Sequence, residues 1–430
     1  METPKSAITR RSLLRKAAGT SLAFAVPTII PQSVFAAPPS EKIMLGFVGM
    51  GGMGMNHLMS LKDQAVAVCD VDENRMHGAR FQLGPKAYAF KDYRSLLERK
   101  DIDAIIIATP DHWHTLVSLH AMQAGKDVYC EKPLTLTVAE GQALVKAARR
   151  YGAVFQTGTQ QRSSREFYHA CMLVRNNYIG KLERIDVGLG GNPTCDDSGD
   201  GPAPHWIDWD MWLGQAPWVP YNSRRHPGAF RFIWDYSGGS LCDWGAHHLD
   251  IAQWGHGTDL TGPVEIDGKG ELPTTGVWNT PTTYVVNYKY ADGVTITAGP
   301  GRPSGVTFYG SKGKVYVDRG TLATEPEELE RVKFGADSVQ LYESPNIDRG
   351  WTGSWVKPSH YHDWFDCIKT RRKCVCDVEI GHRSITLSHL GNLSIRLGRK
   401  LNWDPDKEQF VGDEEANRWL SRPMRKPWHL

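Results

Sequence analysis

One short segment of the chain, residues 239–254, brings together side chains that could transfer a proton. It reads GSLCDWGAHHLDIAQW and contains Asp243, His247, His248 and Asp250. On one continuous helix Asp243, His247 and Asp250 would share a face, since they are four and seven residues apart. A carboxylate beside an imidazole fixes the ring tautomer and raises its basicity. The spacing therefore makes His247 a candidate acid–base, although the segment alone also fits a metal site or a polar helix face.

Two further polar clusters follow apolar runs that are typical of buried strands. The first is Thr109-Pro110-Asp111-His112-Trp113-His114, and the second is Glu131-Lys132-Pro133. A doubly wound sheet binds its ligands beyond the carboxyl ends of its strands, where both clusters would lie. There Lys132 could hydrogen-bond a substrate hydroxyl, and Pro133 would hold it in an extended conformation. Outside such a setting, a lysine is most simply a solvated surface residue.

A glycine-rich run near the start of the folded part predicts a dinucleotide site. Gly49, Gly51 and Gly54 form the pattern G-x-G-x-x-G between a strand and a helix. Such glycines bring backbone N–H groups close to a pyrophosphate at a helix N-terminus. Asp70 ends the next strand, 21 residues after Gly49, where an acid accepts hydrogen bonds from ribose hydroxyls and repels a 2′-phosphate. We therefore predict NAD rather than NADP, held by Gly49, Met50, Gly51, Gly52, Met53, Gly54, Asp70 and Thr109.

Short apolar runs alternate with helical stretches over about 110 residues, which predicts a doubly wound parallel sheet. The predicted strands are Ile43–Val48, Ala65–Cys69, Ala104–Ala108, Asp127–Cys130 and Val154–Thr157. After residue 158 the pattern changes to segregated helices and alternating antiparallel strands. We therefore predict a dinucleotide-binding domain over residues 42–158 and an α+β domain over residues 159–430.

The first 36 residues have the pattern of a twin-arginine export signal. Arg10 and Arg11 precede the apolar run Ala17–Val26, which is far shorter than the roughly 20 residues that span a bilayer. We expect the signal to be removed, leaving an exported or periplasmic protein without a membrane span; a retained membrane tether is the alternative. The segment holds five of the 50 basic and one of the 48 acidic residues, so the remainder has a net charge of −2. That balance excludes an electrostatic footprint for nucleic acid.

These motifs together resemble the Gfo/Idh/MocA family of oxidoreductases, over nearly the whole chain after the signal. The resemblance rests on the glycine motif, on Glu131-Lys132-Pro133, and on Gly238-Gly239 followed by Asp243-x-Gly245-x-His247-x-x-Asp250. It implies an N-terminal Rossmann domain and a C-terminal domain with an open, mostly antiparallel sheet. In the family that sheet often forms the oligomer interface, so a homo-oligomer is expected.

The resemblance also implies roles for individual residues. Lys132 would hydrogen-bond the reacting hydroxyl, His247 would be the general acid–base, and Asp243 would orient the histidine. The side of the cavity that faces the nicotinamide would be lined by Pro110, His114 and Glu131. As substrate contacts we nominate Arg162, Tyr236 and His248, with core packing as the alternative for Tyr236.

The predicted reaction is oxidation or reduction at a hydroxyl of a carbohydrate, polyol or glycoside. Export of a folded protein favours NAD that stays bound and is recycled in place, because free NAD is scarce outside the cytoplasm. The same bound cofactor would also permit redox-neutral glycoside hydrolysis, as in glycoside hydrolase family 109.

Two other functions fit the residues less well. Lys132 and the glycine turn argue against a metal enzyme, so we predict no metal site. Intact Lys132, Asp243 and His247 argue against a non-catalytic sensor. The metal enzyme would use His112, His114, His247 and His248.

Overall fold

The computed structural model describes residues 42–196, 199–342 and 358–430. The predicted export signal at residues 1–36 lies outside the described residues. In the part that is described, the chain forms two sheets with helices packed on them. A search of these residues finds no helix that is long and apolar enough to cross a membrane.

The first sheet comes from the alternation of strands and helices up to residue 158. Its elements are β1 Leu45–Val48, α1 Gly52–Ser60, β2 Ala65–Cys69, α2 Glu73–Leu83, β3 Tyr88–Phe90, α3 Tyr93–Leu97, β4 Ala104–Ile107, α4 Asp111–Gln123, β5 Asp127–Glu131, α5 Val138–Tyr151 and β6 Phe155–Gly158. All six strands are parallel, in the order β3-β2-β1-β4-β5-β6. This is the order of a dinucleotide-binding sheet, whose ligands bind beyond the strand ends where the order reverses, between β1 and β4. The predicted doubly wound sheet is confirmed.

The second sheet has nine strands and is mixed. The elements of this part are α6 Arg165–Arg175, β7 Leu182–Gly188, α7 Trp209–Leu213, α8 Ser240–Asp243, α9 Gly245–His256, β8 Glu265–Glu271, β9 Thr283–Lys289, β10 Thr295–Gly299, β11 Gly305–Gly310, β12 Gly313–Asp318, β13 Thr321–Glu325, α10 Pro358–Thr370, α11 Val378–Leu397, β14 Leu401–Asp404, β15 Gln409–Phe410 and α12 Glu414–Arg418. Its order is β13-β12-β11-β7-β10-β9-β8-β14-β15. Among the described strands of this second sheet, only β7 and β10 pair in parallel, so the expected mostly antiparallel sheet is confirmed.

The strands of the second sheet are apolar on one face, which explains where its helices pack. Along β9, Tyr284, Val286 and Tyr288 are buried, whereas Asn287 and Lys289 are exposed. The buried face forms one core with side chains from α6, α9 and α11. Burying a large apolar side chain stabilises the fold by roughly 1.5–3 kcal/mol. This core fixes α9, which carries His247, against the sheet.

Helix α10 belongs to the first sheet by packing, although it lies late in the chain. Its residues Tyr361 and Trp364 join Phe47 and Ile106 in one buried cluster. The predicted division between residues 158 and 159 therefore falls between the two sheets. It does not account for α10, which packs on the first sheet. A sequence boundary treats each domain as continuous in the chain, and α10 returns after about 200 intervening residues.

Candidate active site

The glycine turn after β1 has the backbone geometry that a bound pyrophosphate needs. Gly49 has a φ of +88°, and a Cβ on Gly54 would lie 1.9 Å from the Gly49 carbonyl oxygen. The close approach lets α1 begin directly at the end of β1. Gly51 caps α1 without a side-chain hydrogen bond, so the first N–H groups of the helix can bind an anion.

Asp70 stands beside this turn, at the carboxyl end of β2. Its Oδ2 accepts a hydrogen bond from Met50 N at 2.6 Å, and its Oδ1 accepts one from Asp72 N at 2.8 Å. Burial raises the pKa of Asp70, while these two amides act in the opposite direction. Each carboxylate oxygen can accept a second hydrogen bond. The donor cradle and the carboxylate therefore fit the pyrophosphate and a ribose of NAD.

One cavity of about 580 Å³ connects this cofactor end to the acid–base residues. Most of the predicted site residues line it, namely Gly49, Gly51, Gly52, Met53, Asp70, Thr109, Pro110, Glu131, Lys132, Asp243 and His247. Met50 instead packs its side chain into the core of the first sheet and contributes its N–H to Asp70. Gly54 lies beneath the turn, against Gly49.

Lys132 and Asp243 form the ion pair at the centre of the site. Lys132 Nζ donates to Asp243 Oδ1 at 2.6 Å and to the Asp243 carbonyl oxygen at 3.0 Å. Arg231 Nε lies 3.6 Å from the same carboxylate oxygen. Burial disfavours the ionised form of Asp243, but Lys132 and Arg231 outweigh it and lower the pKa of this carboxyl. Asp243 therefore stays ionised, and its two oxygen atoms hold Lys132 as a hydrogen-bond donor.

The predicted contact between Asp243 and His247 is not formed. The predicted helix Asp243–Trp254 is divided at Trp244, which lies between the end of α8 and the start of α9. Trp244 keeps helical backbone angles, with φ −87° and ψ −30°, and the Asp243 carboxylate pairs with Lys132 instead. The role of orienting His247, assigned to Asp243 from the sequence, is therefore not supported by the geometry.

His247 is poised as a neutral base. It lines the cavity, and its Nδ1 has no hydrogen-bond partner among the described residues. Burial holds the pKa of His247 well below its usual range, and the positive charges of Lys132 and Arg319 act in the same direction. A neutral imidazole in the cavity wall can accept a proton from a substrate hydroxyl.

Glu131 is held by His57, which belongs to none of the motifs predicted to form the site. His57 Nε2 lies 2.9 Å from Glu131 Oε1, and Gln160 Nε2 donates to the same oxygen at 2.8 Å. Burial opposes ionisation of Glu131, but His57 outweighs it and lowers the pKa of the carboxyl. His57 lies on α1 one turn after Gly54, and this spacing is the signal that could have identified it.

His114 supports the site from behind instead of lining it. Its Nδ1 lies 2.6 Å from the Pro133 carbonyl oxygen, and its Nε2 lies 2.9 Å from the Thr109 carbonyl oxygen. The ring therefore connects the segments after β4 and β5. His114 was expected on the side facing the nicotinamide, and its buried ring holds the loops that carry Pro110 and Lys132.

Arg162 was predicted as a substrate contact, and the structure contradicts this. Its side chain is 2% exposed, and its guanidinium donates to both carboxylate oxygens of Asp250, at 2.7 and 2.8 Å. A further bond reaches Asp259 at 2.6 Å. Arg162 therefore joins the segment after β6 to α9 as a buried ion pair. Asp250 is the partner of Arg162 and not of His247.

Replacing Arg162 with methionine should destabilise the fold strongly. It leaves the buried Asp250 carboxylate without its cation, which costs about 3–5 kcal/mol. Urea denaturation of purified protein measures the difference. Arg331→Met is the matched control, since Arg331 is exposed, lies 3.9 Å from Glu327, and should change stability by about 0.5 kcal/mol or less. Equal effects of the two substitutions would contradict the structural role of Arg162.

Tyr236 and His248 were also predicted to contact the substrate, but neither side chain lines the cavity. Tyr236 is fully buried, with its ring 5.0 Å from that of Trp212 in an edge-on arrangement. His248 Nδ1 lies 3.1 Å from the Gly188 carbonyl oxygen, and burial lowers the pKa of His248 to about 4. Both side chains pack in the core because their helix or loop is covered by neighbouring layers, which the local sequence does not show.

The four histidines of the alternative metal site do not converge. His112 Nε2 lies 3.0 Å from the Trp212 carbonyl oxygen, and His114 and His248 likewise meet backbone carbonyls. Across the described ranges, the group whose ligand atoms lie within 4.8 Å of one another is Asp363, Cys367 and Cys374. Those residues belong to α10 and the loop after it.

Comparison with known proteins assigns the chain to a family. Residues 43–159 match the model of the Gfo/Idh/MocA oxidoreductase family, NAD-binding Rossmann fold, and residues 197–338 and 342–430 match that of its C-terminal alpha/beta domain. Together these matches cover most of the chain. The chain belongs to the Gfo/Idh/MocA oxidoreductase family. The glycine turn and Asp70 lie in the part of the chain that matches the NAD-binding Rossmann model of this family.

Individual Gfo/Idh/MocA relatives match parts of the chain. Inositol 2-dehydrogenase of Salmonella typhimurium is 31% identical over 142 residues, which are 32% of this chain and 42% of that protein. Glycosyl hydrolase family 109 protein 1 of Shewanella sp. strain ANA-3 is 32% identical over 165 residues, 36% of this chain and 32% of that protein. The chain thus spans less than half the length of either relative.

A solved structure with the same fold covers far more of the chain. Levoglucosan dehydrogenase, in complex with NADH and L-sorbose, superposes with a TM-score of 0.62 at 18% identity. The match covers 84% of this chain and 99% of that one. It shows that both domains share the fold of that enzyme.

Proposed function

We propose that this protein is an NAD-dependent oxidoreductase acting on a CH–OH group of a sugar, polyol or glycoside. The observation that carries the proposal is the Lys132–Asp243 pair, which lines the same cavity as His247 and the glycine turn. A charged donor and a neutral base are the two groups that oxidation of an alcohol requires. The inositol dehydrogenase relatives support this substrate class.

Each residue of the site has a distinct part in the chemistry. When bound, NAD supplies the hydride acceptor. Lys132 donates a hydrogen bond to the substrate oxygen and stabilises the negative charge that develops there as its proton leaves. Asp243 holds Lys132 through the 2.6 Å contact, and neutral His247 accepts the proton. The reverse reaction uses the same groups, with His247 as the proton donor.

Because the pKa of His247 is lowered, activity should persist to a lower pH than an ordinary histidine base would allow. The protonated imidazole cannot act as base, so the rate of alcohol oxidation falls only as the pH drops through the pKa of His247. Because burial, Lys132 and Arg319 hold that pKa well below 6.5, kcat/KM should stay level from pH 7.5 to about 6. A pH profile in constant-ionic-strength buffer measures this. An acid limb centred near pH 6.5, the value of an unperturbed histidine, would contradict the assignment.

We infer that the protein is exported with its cofactor loaded. The twin arginine Arg10-Arg11 and the following apolar run support transport of a folded protein. NAD retained in the cavity would then be recycled between an oxidised and a reduced substrate. Fractionation of cells that express the full chain tests this: we expect the protein in the exported fraction, and Arg10→Lys/Arg11→Lys should retain it in the cytoplasm.

We also infer a homo-oligomer formed through the nine-stranded sheet. Helices cover one face of this sheet, and the other face presents side chains such as Asn287 and Arg184, whose guanidinium lies 3.6 Å from the ring centre of Tyr309. Light scattering of the purified protein measures its mass. A monomer at micromolar concentration would contradict this inference.

Redox-neutral glycoside hydrolysis is the second candidate function. The match to a family 109 hydrolase over 165 residues favours it specifically. In this scheme, oxidation of a ring hydroxyl acidifies the neighbouring C–H, so that elimination, water addition and reduction cleave the glycoside. Both candidates use the same acid–base residues, and they differ in their products.

Product analysis without added NAD separates the two candidates. Purified protein is incubated with a panel of free sugars, polyols and aryl glycosides, and the products are identified by mass spectrometry. Oxidised sugar formed in proportion to a second, reduced substrate supports an oxidoreductase that recycles its bound NAD. Released sugar with no net change in cofactor redox state supports the hydrolase. If neither appears with NAD present or absent, the proposed function is wrong.

A further inference from the structure

One stretch of the second domain, residues 206–231, forms part of the wall of the cofactor cavity. We call this stretch the cover segment. The cavity that contains the glycine turn and Asp70 is also lined by five side chains of the cover segment, namely Met211, Trp212, His226, Phe230 and Arg231. The cover segment therefore borders the space that NAD would occupy.

The start of the cover segment is fastened to the loop after β2. Asp208 N donates a hydrogen bond to the Val71 carbonyl oxygen at 3.0 Å. Ile207 forms an antiparallel bridge with Asp72. Val71 directly follows Asp70, the carboxylate that is predicted to bind a ribose of NAD. The cover segment thus begins beside the ribose end of the site.

The next part of the cover segment is fastened to the start of α4. The Trp212 carbonyl oxygen accepts a hydrogen bond from Trp113 Nε1 at 2.9 Å, and His112 Nε2 lies 3.0 Å from the same oxygen. Gln215 Nε2 donates to the His112 carbonyl oxygen. Strand β1 lies between β2 and β4 in the sheet, and α4 follows β4. The two attachments therefore flank the glycine turn, and the cover segment runs from one side of that turn to the other.

The C-terminal end of the chain binds the part of the cover segment that forms α7. The Arg425 guanidinium donates to Asp210 Oδ1 at 2.5 Å and to the carbonyl oxygens of Asp210 and Gly214, both at 2.9 Å. The backbone N–H of Arg425 donates to the Gln215 carbonyl oxygen at 2.9 Å. Arg425 therefore holds both the carboxylate and the end of this short helix.

The same C-terminal end is anchored on the first domain. The ring of Trp428 packs edge-on against that of Trp113 on α4, with their centres 4.9 Å apart. The guanidinium of Arg94, on α3, lies 5.4 Å from the centre of the Trp428 ring. Because the Arg425 side chain is 23% exposed, water screens its charge-assisted hydrogen bonds only in part. Arg425 thus connects the cover segment to residues that rest on the cofactor domain.

We propose that Arg425 keeps the cover segment closed over bound NAD and so governs how fast the cofactor leaves. The proposal rests on the proposed function, and it names the device that would retain a loaded cofactor. For NAD to leave past the cover segment, α7 must move away from α4, which breaks the hydrogen bonds of Arg425. Arg425 is therefore a positioning residue that acts on the cofactor through the cover segment.

Release of NADH from the full chain tests this without any substrate. Protein loaded with NADH is mixed rapidly with excess NAD, and the loss of bound-NADH fluorescence gives the dissociation rate constant. Arg425→Met keeps much of the side-chain volume and removes every hydrogen bond of the guanidinium. We expect dissociation to become about tenfold faster or more, the effect of losing hydrogen bonds to a charged group.

Comparison of rate with affinity distinguishes a closure from a lost binding contact. An easier opening admits NADH as well as releasing it, so the association rate constant should rise too. Kd, measured by titration with NADH, should therefore change less than the dissociation rate constant. Distortion of the cofactor site would instead raise Kd in step with dissociation.

Two further variants control for folding and for charge. Asp210→Asn removes the exposed carboxylate partner and leaves Arg425 in place, so release should quicken in the same direction, by about threefold. Arg418→Met, exposed on α12 in the same C-terminal region, should leave both rate constants unchanged. Circular dichroism establishes that each variant is folded.

The outcomes separate this inference from the proposed function. If folded Arg425→Met and Asp210→Asn release NADH within about twofold of the parent rate, Arg425 does not close the cavity, and the oxidoreductase stands. A Kd that rises in step with dissociation would likewise overturn the inference, since it indicates lost cofactor contacts. If release quickens as expected while no sugar, polyol or glycoside reduces NAD, the closure stands and the proposed function fails.

Discussion

Replacing Lys132 with methionine should lower kcat/KM by about a hundredfold to ten-thousandfold, the range of a removed acid–base or charge-stabilising group. The substitution keeps most of the side-chain volume and removes the ammonium that contacts Asp243 at 2.6 Å. Steady-state kinetics on the preferred substrate measure the loss. Because Lys132 acts on the developing charge, we expect kcat to fall more than the apparent affinity for substrate.

A matched control and a double variant sharpen this result. Lys146→Met, on the exposed face of α5, should leave kinetics unchanged. Asp243 acts through Lys132, so adding Asp243→Asn to Lys132→Met should cost little more than the single change, as expected for residues that act as a unit. Turnover within threefold of the parent in Lys132→Met would remove Lys132 from the mechanism.

Substituting Gly54 with alanine should weaken NAD binding strongly. The new Cβ would lie 1.9 Å from the Gly49 carbonyl oxygen, so α1 or the turn must move. Such overpacking costs on the order of 3 kcal/mol, and if the shift spoils the cradle the affinity for NAD falls by about a hundredfold. Titration of the protein with NADH, followed by cofactor fluorescence, measures the change.

The control for this substitution is another helical glycine. A Cβ on Gly78, in α2, meets no atom within 4 Å, so Gly78→Ala should leave NADH affinity unchanged. Circular dichroism of both variants establishes that each is folded. Unchanged NADH affinity in folded Gly54→Ala would show that the cofactor does not depend on this turn.

The cofactor end could be predicted from the sequence because its signals are local. Gly49, Gly54 and Asp70 follow one another at fixed spacings along a strand, a turn and the next strand. These three residues lie within about 20 positions of one another, so their spacing in the sequence determines how they are arranged in the site. The same reasoning located Lys132 at a strand end in the cavity wall.

The contacts of the reacting end could not be predicted because they depend on tertiary packing. Asp243 and His247 share a periodic spacing, yet the Asp243 carboxylate pairs with Lys132, which lies far away in the chain. Arg162 was predicted to meet substrate, but Asp250 binds it 88 residues away in the chain. Arg319 follows a strand of the second sheet, and no local motif marks its contact with the cavity.

Transfer of deuterium from the substrate to the cofactor tests the central claim most directly. The protein is loaded with NAD and mixed in single-turnover amounts with the preferred substrate, deuterated at its carbinol carbons. After acid quenching, the cofactor is extracted and analysed by mass spectrometry. If bound NAD takes hydride from a CH–OH group whose proton His247 accepts, the reduced cofactor gains one deuterium, and in His247→Ala it gains almost none. Oxidised product formed while the cofactor stays unlabelled would contradict the proposed oxidoreductase, whereas the redox-neutral hydrolase returns the deuterium to its own product.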